Sequence, residues 1–141
     1  MIDFVVSLLI PDFSGRRERR QARVFDSGGE VVFEACLLGD QGYCRATIIF
    51  IAASRVSLHV APTEVKELGR FRLPSERLEF RQARDRRKSD PRIVRPYWTI
   101  LECRDGENEV LIACAPQNAR YVTAALASKD RDSQASDDQS D

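Results

Sequence analysis

Tyr97–Ser128 reads YWTILECRDGENEVLIACAPQNARYVTAALAS, and its pattern is strand, tight turn, strand, helix. Tyr97 to Cys103 is rich in aromatic and β-branched side chains and is bounded by Pro96 and by Asp105-Gly106. Asp-Gly between two apolar runs is a strong hairpin signal, because glycine reaches positive φ without steric cost. Alternation places Trp98 and Ile100 on one face, and Tyr97, Thr99, Leu101 and Cys103 on the other. The return strand, Val110 to Ala115, puts Val110, Ile112 and Cys114 together. It is apolar almost throughout, which predicts cover on both faces. Pro116 suits a first helical position, where no backbone donor is needed. Ala119, Val122, Ala125 and Leu126 then recur at helical spacing with Tyr121 beside them, a stripe that reads as core packing.

Working upstream, five further strands are predicted. Glu30 to Leu38 turns Val31, Phe33, Ala35 and Leu37 to one face. After a Gly39-to-Gly42 turn, Cys44 to Ile51 alternates Ala46, Ile48 and Phe50 against Arg45, Thr47, Ile49 and Ile51. Arg55 to Val60 points Val56, Leu58 and Val60 inward and His59 outward. Leu68 to Leu73 and Glu76 to Arg81 complete the set, the latter with Leu78 and Phe80 inward.

Two stretches are strongly basic. Ile2 to Ile10 is apolar except for Asp3 and Ser7, and is followed by Arg16, Arg17, Arg19, Arg20 and Arg23. The apolar run is far shorter than the roughly 20 residues that span a bilayer. Residues 1–29 are read as an apolar stub and an Arg-rich linker. Gln82 to Pro96 carries Arg84, Arg86, Arg87, Lys88, Arg92 and Arg95 against Asp85 and Asp90, and is expected to be a long mobile basic loop. Residues 129–141, rich in Asp, Ser and Gln, are expected to be a disordered acidic tail.

The 141 residues suit one domain, read here as 30–128, and the charges balance overall. Any argument for an anionic partner must therefore be regional. Cys36, Cys44, Cys103 and Cys114 lack C-x-x-C spacing and sit in or beside apolar strands. They read as reduced core thiols in a cytoplasmic protein rather than metal ligands.

Seven strands closed by one helix resemble the pleckstrin-homology superfold and its bacterial and GRAM-like branch. CRATIIFIAASRVSLHV (44–60) is similar to a GRAM-like strand hairpin with its Arg55-Val56 pair. FRLPSERLEF (71–80) resembles the next two strands, and YWTILECRDGENEVLIACAPQNARYVTAAL (97–126) the closing hairpin and helix. The resemblance implies a mainly β fold, a seven-stranded antiparallel barrel or split sheet capped by a C-terminal helix. It also implies binding of headgroups, peptides or proteins. Lipid-binding members place basic residues on the first two strands and their loop, whereas here that loop, LLGDQGYCR, brings only Arg45.

No catalytic set is legible. His59 is the only histidine and falls on an outward strand position, Glu76 and Glu79 do not share a strand face, and no catalytic, cofactor or metal residue is assigned. Cys36 and Cys44 are the one thiol pair that could meet, across the first hairpin. The expectation is a non-catalytic adaptor engaging a protein or peptide, with no small-molecule substrate. The alternative is a peripheral module at the inner face of the membrane, meeting anionic lipid through the N-terminal segment and the basic loop. Weak nucleic-acid binding ranks third, since the basic loop has no aromatic residue to stack a base. The candidate anion- or partner-binding residues are Arg16, Arg17, Arg19, Arg20, Arg84, Arg86, Arg87, Lys88, Arg92 and Arg95.

Overall fold

The computed structural model describes residues 15–62 and 69–139, with 129–139 as backbone alone. The readings of the Ile2–Ile10 stub and of the centre of the 61–67 loop fall outside these residues. Helix α1 (15–26) leads into β1 (Val31–Leu38), β2 (Arg45–Ala53), β3 (Leu58–Ala61) and β4 (Phe71–Arg72). β5 (Leu78–Asp85), β6 (Thr99–Asp105), β7 (Asn108–Cys114) and α2 (Pro116–Gln139) follow. The strands form one antiparallel sheet in the order β4-β3-β2-β1-β7-β6-β5, curled into a half-barrel with α2 on its concave side.

Side-chain alternation explains the two sides of this sheet. Val31, Phe33, Ala35, Leu37, Ile49, Ile51, Leu101, Val110 and Ile112 point into the curl. There they pack on Tyr121, Val122, Ala125 and Leu126 of α2. The opposite parity points outward, and Cys36, Ile100 and Ala113 are buried there too, under Val94 and Trp98. The apolar β7 is thus covered on both faces, as its composition predicts. The β6–β7 hairpin turns at Gly106-Glu107, flanked by the Asp105↔Asn108 pair. Gly106 has φ +65° and no non-glycine residue described has positive φ, the pattern of a II′ turn.

Several expectations need correction. The Arg-rich linker is helical over residues 15–26, because Arg, Glu, Gln and Ala are all strong helix formers. The helix ends where Gly28 adopts φ +95° and the Gly29 N–H bonds the Val24 carbonyl at 2.8 Å. The basic loop is shorter than expected, since Gln82–Asp85 continue β5 along β6. The remainder is anchored at Val94, which is fully buried. Val56 is 65% exposed in the Ser54–Ser57 turn. Phe80 is 38% exposed beside a register shift at the free edge of β5.

Candidate functional site

The sheet has a gap. β1 pairs with β2 from Val31 onward, but its pairing with β7 stops at Ala35↔Cys114. Among the described residues, the edge of residues 31–34 that would continue that ladder therefore has no strand beside it. β7 instead ends and turns into α2 at Pro116. A groove of about 720 Å³ opens at this point. Its floor is Val32, Phe33 and Glu34 with Phe50 of β2, and one wall is Arg95, Tyr97 and Trp98. Gln117 and Asn118 at the start of α2 close one side, and Arg17, Glu18 and Gln21 of α1 close another.

Each wall is held by identifiable contacts. On α1, Phe25 packs its ring 4.8 Å from that of Tyr121 on α2, which fixes the helix against the domain. On the opposite wall, the Arg95 guanidinium lies 5.2 Å from the Trp98 ring centroid. Its Nη2 is 2.6 Å from Glu34 Oε2, so the 93–98 segment is tied directly to β1. Trp98 is buried, whereas Tyr97 is 62% exposed and offers its ring to the groove. Trp98 belongs to the outer core cluster, whereas Tyr97 does not. The groove thus combines an open backbone edge, an aromatic surface, amide groups, and charges of both signs.

The basic residues singled out from the sequence do not form one cluster. Arg84 is consumed internally: its Nε donates to Glu102 at 2.7 Å, and its terminal nitrogens donate to Asp90 at 2.8 and 2.9 Å. The Asp90 carboxyl is thereby held down at about 2, chiefly by Arg84. Arg86 Nε donates to the Val94 carbonyl at 2.7 Å, and Arg95 belongs to the groove. The side chains of Arg87, Lys88 and Arg92 are exposed. Arg17 turns to the groove, while Arg16, Arg19, Arg20 and Arg23 line one exposed side of α1. Sequence reasoning missed the groove's Val32, Glu34, Phe50, Gln117 and Asn118. Their proximity follows from strand register, which no local motif signals.

Remaining polar chemistry is sparse among the described residues. His59 is half-buried with Nδ1 3.7 Å from Glu30 Oε2, and Arg70 also bonds that carboxylate. Burial and then the Arg70 charge lower the imidazole pKa. Cys36 and Cys44 do not meet, because Cys36 sits in the outer cluster and Cys44 packs on the inner one. None of the four cysteines forms a disulfide. No group of three or more His, Cys, Asp or Glu among the described residues is placed to hold a metal ion. No described helix is long and apolar enough to cross a membrane. No family model, curated protein or solved structure matches the chain.

Proposed function

We propose that the chain is a non-catalytic binding module that takes an extended peptide segment of a protein partner at the open edge of β1. The observation that carries this reading is the end of β1–β7 pairing at Ala35↔Cys114, directly beside a groove with an exposed tyrosine. A free strand edge presents unpaired N–H and C=O groups and is a template for strand addition. Backbone bonds supply affinity in this mode, and pockets for alternate side chains supply selectivity. Four edge residues span about 13 Å, enough for a short strand. Arg95 paired to Glu34, and Arg17 next to Glu18, leave the groove close to neutral, which suits a peptide better than an isolated anion. The pleckstrin-homology-like reading of the fold belongs to the same proposal. It draws support from the seven-stranded antiparallel sheet with its C-terminal capping helix.

Selection from a random peptide display library against the whole chain tests the proposal. Enriched peptides should bind the protein and weaken at least about tenfold on Tyr97→Ala, since a buried aromatic contact carries 1–2 kcal/mol or more at such interfaces. Failure to enrich any sequence, or binding indifferent to Tyr97→Ala and to Gln117→Ala, would count against it.

A further inference from the structure

The exposed side of α1 is a second surface, separate from the groove. With about 100° between successive helical residues, Arg16, Arg19, Arg20 and Arg23 fall on one face, at i, i+3, i+4 and i+7. Glu18, Ala22 and Phe25 fall on the opposite face, towards α2. Docking through Phe25 therefore fixes the rotation of the helix and leaves the four arginines on its exposed side, with Arg19 at the border next to α2. All four arginines are exposed, and their side chains make no hydrogen bond or ion pair among the described residues. This differs from the basic loop, where Arg84, Arg86 and Arg95 are tied to the chain's own acceptors. Like charges gathered on one face are destabilising in isolation, and an opposing anionic surface relieves that repulsion.

We infer that this arginine face docks the module on a bilayer surface carrying anionic lipid, recognised by charge density rather than by headgroup shape. Two observations favour lipid over other polyanions. The face has no aromatic side chain to stack on a base, the feature that single-stranded nucleic-acid sites rely on. The sequence also runs apolar from Ile2 to Ile10, except for Asp3 and Ser7, a few residues before the first arginine of the face. An apolar run next to a polybasic face is the two-part composition of interfacial membrane binding. Each arginine near such a surface is worth about fivefold in partitioning at physiological salt. The groove and the arginine face share α1 but not its side chains, so one docked molecule can present the β1 edge to a peptide.

Flotation of the full chain with phosphatidylcholine vesicles, with and without phosphatidylserine, tests this inference. Binding is expected only with phosphatidylserine, and it should weaken as salt rises. Arg19→Ser with Arg20→Ser should lower it on the order of 30-fold. Arg16→Ser with Arg23→Ser should lower it to a similar degree, with unchanged thermal unfolding showing that the fold is intact. Arg87→Ser with Lys88→Ser, on the 86–98 segment, should leave most of the binding in place. No binding to phosphatidylserine vesicles overturns the inference. So does loss of binding in the Arg87/Lys88 variant with retention in both α1 variants. Binding to duplex or single-stranded DNA that needs the α1 arginines, without any binding to vesicles, also overturns it.

Discussion

Arg84 and Asp90 meet in a two-pronged ion pair, Nη1 to Oδ2 at 2.8 Å and Nη2 to Oδ1 at 2.9 Å. Asp90 also accepts the Arg87 backbone N–H at 2.6 Å, and Arg84 also reaches Glu102. The pair therefore closes a turn at the end of β5 and sends the chain back across the outer face of the sheet. Ile93, Val94 and Trp98 then cover Cys36, Ile100 and Ala113, and Arg95 reaches Glu34. One wall of the groove depends on this turn.

The pair makes stability depend on pH in a defined window. The Asp90 carboxyl falls from an ordinary 3.8 to about 2 in the folded chain, chiefly through its bonds to Arg84. Its stabilisation is complete above the unfolded value and is lost as pH falls through the folded one. Urea midpoints should therefore drop between about pH 4 and pH 2, and Asp90→Asn should flatten that part of the profile. The same substitution should lower stability at neutral pH by about 2 kcal/mol, because Arg84 keeps only part of its charge compensation.

Phe25 holds α1 to the domain through the tilted ring of Tyr121, and Arg55 Nη1 donates to the Asp26 carbonyl at the end of the helix. Phe25→Ala should cost about 3 kcal/mol in denaturant unfolding. It should also expose α1 to trypsin, whose sites there are Arg16, Arg17, Arg19, Arg20 and Arg23. Cleavage after these arginines should speed up well before the rest of the chain is cut, since local opening precedes global unfolding. Equal cleavage of both proteins would mean that α1 is held by something else.

The cysteines should differ in reactivity. Burial pushes the Cys36 thiol up to about 11 and the Cys114 thiol up to about 12, so neither supplies thiolate at neutral pH. Cys44 is also raised by burial but is only half-buried, beside Arg45. A thiol reagent should label Cys44 first in the native protein, and the other three only on unfolding. Rapid native labelling of Cys36 would mean that the 93–98 segment opens readily.

The parts of the fold that were legible in sequence are those set by short-range periodicity. Asp105-Gly106 announced the hairpin, and the period of two grouped Leu101 with Cys103 and Val110 with Ile112 and Cys114, the residues that the structure buries in the inner cluster. The Tyr121–Leu126 stripe announced the packed helix. What escaped depends on pairing at a distance. The 82–96 stretch looked like a solvated charge run because Asp90 finds Glu102's partner Arg84 only after β5 and β6 align. The α1 helix was hidden by reading five arginines as a linker, although Ser27-Gly28-Gly29 after good helix formers is a stop signal. The groove was not legible at all, because it exists where the β1–β7 register runs out at Ala35↔Cys114. The arginines were visible as residues, but which of them remain available is decided by folded neighbours such as Val94 and Glu34.

Backbone amide hydrogen exchange, read residue by residue with and without a library-selected peptide, tests the central claim most directly. The strand-addition account predicts that amides within Val32–Glu34 slow sharply when peptide is added, because they gain partners on the open edge. Amides of the β5 edge, Glu79–Gln82, should not change. Protection confined to β5 or to the outer surface of α2, with Val32–Glu34 exchanging at the free rate, would contradict it.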